Sequence, residues 1–449
     1  MDRNRTIPGT MNRRSLVKRG TAVAAASGFA ATAGLKASST FAAPAVIQGD
    51  VTLEVWGGVP PENGPQALVD AFMEANPAVT VNYTRYVNDD TGNTQLDTAL
   101  QGGTPIDLFF TYSIPRLGQR TLAGAAADLT PYIEADADIQ NWVDTTEGIF
   151  NQEGVFYSLP TTAEPNFLLV NQRLLEEAGA TLPEAGWTVD DYMALAEQLT
   201  SDTVYGAYAP PDTARAILGP DYWFKEGGTE SNFDAPEFAE SMERHKGMID
   251  AGTAFPWTDV LAQDLRAYAQ TPFLIEQNAL WFTSSFSLRY VADKEEYPHD
   301  FVTTFAPFPA PAGADFWNPG GINNWIQMKS DTANPDAAWS LIQFWLKEGA
   351  VYMLPAGKIP AFPGTDEATV VEGILGPDRE ELYNVAAYQA VVFDPATKLV
   401  TDTITTGSAE ISQIVQGNSD RYLIGEIAID EWVTETKTQA DEAIARASA

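Results

Sequence analysis

Between residues 51 and 111 the apolar spacing switches from alternate residues to helical spacing and back, twice, and few folds accept that pattern. Val51, Leu53 and Val55 alternate with polar residues, which predicts a strand over 51–56 ending at Trp56-Gly57-Gly58. Ala67, Leu68, Ala71, Phe72 and Ala75 then share one helical face, and Asn76-Pro77 stops the helix. Val79–Tyr83 is the next strand, a helix around Thr94–Leu100 ends at Gly102-Gly103, and Ile106–Thr111 reads as a buried strand. This alternation is the grammar of a parallel α/β sheet, because each parallel pairing needs a crossover. Asn334-Pro335-Asp336 opens a later helix, with a capping side chain, Pro in the first turn and an acid at the positive dipole end. Ala338, Leu341, Ile342, Trp345 and Leu346 follow at helical spacing up to Gly349. Residues 425–446 are helical in period and are expected to pack over the outside of a lobe.

Residues 1–45 read as a targeting segment outside the fold. Asn12-Arg13-Arg14-Ser15-Leu16-Val17-Lys18 is a twin-arginine export pattern, and the Ala-rich stretch 21–35 is too short and too mildly apolar for a membrane span. Cleavage is expected after Ala45 or Ala42, unless the signal is kept as a tether. The chain has no cysteine, so it can carry neither a lipid-anchoring thiol nor a disulfide. The expectation is an exported protein, periplasmic or extracellular, monomeric and not a lipoprotein. The net charge is −35 and becomes more negative without the basic leader. Nucleic acid and anionic lipid are therefore poor partners, and such a surface suits high salt. The remaining chain, roughly 400 residues, exceeds one ordinary core and predicts two lobes.

Catalytic chemistry has few candidates. The chain has two histidines, His245 and His299, which with no cysteine excludes a His/Cys zinc site. His245 lies in the charged run Glu243-Arg244-His245-Lys246 and reads as a solvated face, while His299 follows Tyr297-Pro298 in a loop. No G-x-S-x-G, P-loop, dinucleotide or calcium-loop motif is present. Of the two adjacent acid pairs considered near the motifs, Asp89-Asp90 and Asp190-Asp191, dipole compensation in a first helical turn explains the second. A two-carboxylate glycosidase stays open on composition alone. The reading is a protein that is not an enzyme, with no catalytic residue, metal or cofactor.

Residues 154–200 carry the most specific pattern. They predict a strand, a Pro-containing extended stretch, the apolar strand Phe167–Val170, a helix stopped by Gly179, and a second helix from Thr188. Gly154, Tyr157, Pro160, Val170-Asn171, Leu174, Leu175, Gly179, Pro183 and Trp187-Thr188 resemble the first interlobe crossing of the solute-binding proteins of ABC importers. The likeness is to the carbohydrate-binding, maltose-binding-protein-like class. It extends through Leu100–Leu108, Asp128–Ile133, Phe238–Gly252, Ala279–Phe286, Pro307–Gly321 and Ile359-Pro360-Ala361. The resemblance implies a two-lobed α/β periplasmic-binding-protein fold with three crossings and a ligand cleft between the lobes. The first lobe would be 50–158 plus 282–318, and the second 165–272 plus 322–449, with crossings near 158–165, 273–286 and 317–325. It also implies capture of a mono- or oligosaccharide by hinge closure and delivery to membrane permease subunits. The same fold with a polyol, a glycerol phosphate or a small anion, which Arg85, Arg116 or Arg215 could meet, is the alternative. An exported carbohydrate-active enzyme is the second.

Many aromatics sit at strand ends and in the crossing segments, where ligands bind in open α/β sheets. Trp56, Tyr112, Tyr222-Trp223, Trp281, Phe286, Trp317 and Trp325 are the candidate platforms for a sugar's C–H face. Trp56 and Trp281 are explained equally well as core, and Trp325, inside an apolar strand, fits core better. The resemblance makes Glu164 an acceptor for sugar hydroxyls, against the alternative of a solvated loop acid. Asp107 serves capping and ligand contact equally well. Asn318, Asn323 and Asn324 border Gly320-Gly321, where side-chain amides could meet hydroxyls and glycine allows close backbone approach. Ile322 stands where the family often has an aromatic, which leaves the stacking partner at that position open.

Overall fold

The computed structural model describes residues 50–448 except 267, 312–314, 401 and 403. The twin-arginine segment and both expected cleavage sites lie outside the described residues. Among the described residues the strands are β1 Val51–Gly57, β2 Val79–Arg85, β3 Leu108–Thr111, β4 Leu159–Glu164, β5 Phe167–Asn171, β6 Tyr205–Ala207, β7 Asn278–Thr283, β8 Thr303–Ala306 and β9 Gly321–Met328. They form two sheets, β2-β1-β3-β9-β4 and β6-β7-β5-β8.

In the first sheet β1 pairs parallel with β2 and β3, in the registers Val51↔Val79 and Val55↔Leu108. β9 is antiparallel to both β3 and β4. The predicted parallel sheet is therefore mixed, for a topological reason. The chain leaves for the other lobe at the end of β4, so the segment returning from there must enter at that same end and run backwards. Leu53, Val55, Leu108, Phe110, Trp325 and Ile326 meet Leu68 and Phe72 of the helix Pro65–Ala75 and Leu341 and Trp345 of the helix Pro335–Lys347. Asn334 sits at the cap position of the latter helix without a side-chain capping bond. β4 starts five residues after Gly154, so the strand predicted from Gly154 begins late. Pro160 is tolerated because β4 lies at the sheet edge.

The second sheet is covered on both faces. Along β5, Phe167 and Leu169 join Trp281, Phe305 and Tyr388 on one side, while Leu168 and Val170 join Tyr192, Leu280 and Ala306 on the other. Burial on both sides is why β5 reads as an unbroken apolar run. Its neighbouring helix Val189–Leu199 starts at a full capping box, in which Thr188 and Asp191 each bond the other's backbone N–H. The helices Pro236–Ala251, Ser408–Leu423 and Ile429–Ala447 pack together around Phe238, Ile411, Trp432 and Ile444.

Sheet membership corrects the expected lobes. β7 and β8 belong to the second sheet, so residues 273–286 are not a crossing and 282–318 does not return to the first lobe. β9 and the helix Pro335–Lys347 build the first core, so 322–449 is not one continuous part of the second lobe. An apolar strand pairs equally well in either sheet by local pattern, and long-range pairing decides. The chain passes between the sheets at 164–167, 318–321 and 357–367. The first two passages run side by side: a Cβ on Gly320 would lie 2.3 Å from the Glu164 carbonyl oxygen. The third covers the free edge of β4, where Ala163 N–H donates to Ile359 O at 3.0 Å and Ala361 N–H to Thr161 O at 3.2 Å.

His245 is half-buried with its ring edge-on to Trp257 at 5.4 Å, and its Nε2 has no hydrogen-bond partner among the described residues. It is not the solvated residue its charged neighbours suggest. Burial pulls its pKa down to about 4. In the unfolded chain the imidazole titrates near its ordinary ~6.5, so the unfolded state takes up the proton first. Stability from this group is full above about pH 6.5 and falls as the pH drops toward 4. With partial exposure discounted, the expected loss from pH 7 to pH 5 is about 1–2 kcal/mol. Urea melts of wild type and His245→Phe at both pH values check this: the variant should lack that part of the loss.

Candidate ligand-binding cleft

The sheets meet around a cavity of 340 Å³ bordered by residues that sequence places far apart. The loop and helix start after β3 bring Tyr112 and Ser113, and β9 brings Ile322, Asn323 and Trp325. From the second-lobe side come Arg215, Tyr222, Trp223 and Phe224, with Asp402, Ile404 and Ser408 closing the rim. Three aromatic types thus face one space. Tyr112 lies under the cavity, its Oη accepting from Gly58 N–H at 2.6 Å and its ring stacked on Phe110 at 6.3 Å. Tyr222 and Trp223 are stacked on each other at 6.2 Å. The indole N–H groups of Trp223 and Trp325 are buried and have no acceptor among the described residues. Burial pushes the Tyr112 and Tyr222 hydroxyls well above the ordinary phenol range, so both keep their protons at physiological pH.

The charge on the wall is neutralised from within. The two terminal nitrogens of Arg215 meet the two carboxylate oxygens of Asp402 at 2.5 and 2.8 Å, and its guanidinium lies 5.1 Å from the Tyr222 ring. Tyr222 in turn donates to Asp212 at 2.8 Å. A bidentate pair of this kind presents planar polar edges with little net charge.

Behind the cavity, the three passages share one acid. Glu164 is buried and accepts from Ser284 Oγ at 3.0 Å, with Lys358 Nζ at 3.4 Å and Asn324 Nδ2 at 3.5 Å. Glu164 belongs to the first passage, Asn324 follows the second and Lys358 opens the third. Asn324 adopts a left-handed φ of 53° inside β9, which turns its amide toward Thr162 Oγ1 at 2.5 Å and Glu164. Burial lowers the Lys358 pKa, while the Glu164 charge works against that shift. Lys358 also sits 5.8 Å from the Phe286 ring.

Tyr112, Tyr222, Trp223, Asn323 and Trp325 therefore come together at one cavity, and Trp325 does so despite being fully buried. Glu164 and Phe286 stand at the junction of the passages. Asn318 ties two passages together: it bonds the backbone N–H and C=O of Asn166, both at 2.8 Å. Trp317 packs against Gly219 near the rim. Three candidates lie elsewhere. Trp56 covers the small cluster of Tyr86, Leu96 and Phe109 on the far face of the first sheet. Asp107 stands at the opposite end of β3, accepting from Glu54 N–H at 2.8 Å and from Thr332 Oγ1. Trp281 is core, beside Phe273 at 6.2 Å. Strand alternation gives two faces and cannot say which one a ligand sees. Asp402 and Lys358 were missed. Lys358 stands directly before Ile359-Pro360, a motif that could have drawn attention to it; Asp402 carries no local signal, because its partner Arg215 is 187 residues away. Among the described residues, no group of three or more His, Cys, Asp or Glu could hold a metal ion, and no helix is long and apolar enough to cross a membrane.

Two sheets joined by three passages, with a cavity between them, define the two-lobed periplasmic-binding-protein fold. The chain belongs to the family of bacterial extracellular solute-binding proteins, which it matches over residues 58–352. It is 24% identical over 287 residues to the maltotriose-binding protein of Pyrococcus abyssi; that match covers 62% of this chain and 58% of the relative, little more than half its length. The fold is similar to that of an ABC substrate-binding protein from Listeria monocytogenes in complex with cycloalternan, at TM-score 0.72 and 20% identity over 88% of this chain and 99% of that one. It is also similar to the sugar-binding protein MalE from Xanthomonas citri, at TM-score 0.64 and 18% identity over 88% and 98%.

Proposed function

We propose that this chain is the substrate-binding component of an ABC importer, capturing a neutral sugar between its lobes outside the cytoplasmic membrane and handing it to the permease. The carrying observation is the aromatic lining of the cavity, to which Tyr112, Tyr222, Trp223 and Trp325 all contribute. A sugar supplies an apolar ring face for such a lining and hydroxyls for the polar groups beside it. The relatives named for maltotriose and cycloalternan support the same class of ligand. The Arg215–Asp402 pair argues against an anionic ligand, which would have to displace a bidentate carboxylate. The paired arginines at 13 and 14 support export of the folded protein.

Binding requires no covalent chemistry. The ligand shifts the lobes toward closure by its differential affinity for the closed state, with the three passages bending. A thermal-shift screen against sugars, polyols, glycerol phosphates and aryl glycosides tests this, since a native-state ligand raises the melting temperature. A shift with neutral sugars and no turnover of aryl glycosides is expected. Trp223→Ala should weaken the sugar that binds by about tenfold or more, measured on the folded variant well below its melting transition. A response to glycerol phosphates alone, or glycoside hydrolysis, would overturn the reading.

A further inference from the structure

Among the described residues that border the aromatic cavity, Arg215 and Asp402 alone carry charge, and the two cancel. The two terminal nitrogens of Arg215 occupy both oxygens of the Asp402 carboxylate, and the pair is partly withdrawn from water, at 15% and 36% exposure. Asp402 is presented by a segment with anchors of its own. Just before it, Val400 N–H donates to Gly320 O at 3.0 Å, and Asn318 N–H donates to Lys398 O at 2.7 Å, so the second passage carries that segment. Arg215 comes from a separate element, the helix Thr213–Leu218, which Asp212 caps through the Arg215 N–H at 3.0 Å. Two independently anchored elements thus bring a cation and its counter-ion together on the wall. A guanidinium engaged through two N–H groups keeps three more for hydroxyls, whereas an anion meets a fork already filled.

We infer that Asp402 sets the charge selectivity of the cleft: it is a built-in counter-ion that fills the Arg215 fork and so turns away uronates and other anionic sugars. The inference rests on the sugar-binding reading and adds the residue that decides between neutral and acidic sugars. Discrimination of this kind needs an element that opposes the wrong ligand as well as contacts to the right one. A uronate carboxylate matches the guanidinium in the same bidentate geometry as Asp402. To reach it, the uronate must expel an acid that the fold holds in place, and the displaced charge then stands beside it. A neutral hydroxyl needs no such displacement. Without the Asp402 charge the wall carries one uncompensated cation, and its vacated fork fits a carboxylate.

Titration calorimetry on the purified protein tests it, with glucose, galactose and mannose, their di- and trisaccharides, and the matching uronates. Wild type should bind the neutral member of a pair about tenfold or more tighter than the uronate. Asp402→Asn, which keeps the shape and removes the charge, should raise the affinity for that uronate about tenfold or more over wild type, and added NaCl should diminish the gain. A merely structural role for Asp402 gives no such gain. Combining Asp402→Asn with Arg215→Met should abolish it, because the guanidinium is what the uronate meets. Asp402→Ser serves the same test if the asparagine variant does not melt cooperatively. Wild type that binds uronates at least as tightly as neutral sugars would overturn the inference while leaving sugar binding intact. So would a folded Asp402 variant that still binds a neutral sugar and gains nothing for its uronate. Silence of the whole panel, in a wild-type protein with a good melt, would instead remove the sugar-binding reading and this inference with it.

Discussion

Replacing Trp281 by alanine is expected to cost about 3–5 kcal/mol of stability and to leave the affinity of the folded protein for its ligand unchanged. The side chain is 5% exposed and sits on the middle strand pair of the second sheet, opposite Leu169. It packs among Phe167, Phe273 and Phe305. Truncation removes a large apolar surface and leaves a cavity that rigid strands on both sides cannot close. Chemical denaturation gives the stability, and calorimetry well below the melting transition gives the affinity. An unchanged melt with weakened binding would return Trp281 to the cleft and refute its placement in the core.

The second large effect is at Glu164. Its side chain and that of Lys358 are only 8% and 11% exposed, so removing the acid strands a buried cation. Glu164→Ala should cost about 3 kcal/mol, the lower end for a broken buried pair because the contact is long at 3.4 Å. Ligand affinity should fall as well, since the same carboxylate gathers one group from each passage and Ser284 from the second lobe. Replacing Glu164 and Lys358 together with Leu and Met should recover much of the stability, because neither charge is then left unpaired. A double-mutant cycle on the two positions measures this. Additive losses within about 0.5 kcal/mol would mean that the pair is not coupled.

Much of the cleft was legible because its aromatics punctuate strand ends. Tyr112 follows β3 directly, and Tyr222-Trp223 sits in a loop among Gly and Pro, positions where a bulky side chain has no helix stripe or strand face to fill. The same argument failed for Trp56, which ends β1 yet covers the outer cluster. Trp325 fits the core reading that its apolar strand suggested, since the ring is fully buried, and it also borders the cavity. Glu164 ends β4, where the chain leaves the first sheet. Its partner Lys358 stands 194 positions away, and no local pattern pairs the two, although Lys358 directly precedes the Ile359-Pro360 motif.

By itself the sequence determined the α/β alternation, several helix starts and stops, and the family. These follow from short-range causes: side-chain period, capping groups and the restricted backbone of Pro and Gly. Tertiary structure alone decided which sheet β7, β8 and β9 join, where the chain passes between the lobes, and which tryptophans face the cleft. An apolar strand gains about as much in either sheet, and an aromatic ring is core or wall according to what covers its second face. Both outcomes depend on partners more than a hundred residues distant, as the pairing of Thr111 with Trp325 illustrates. Only the assembled layers bring such partners together.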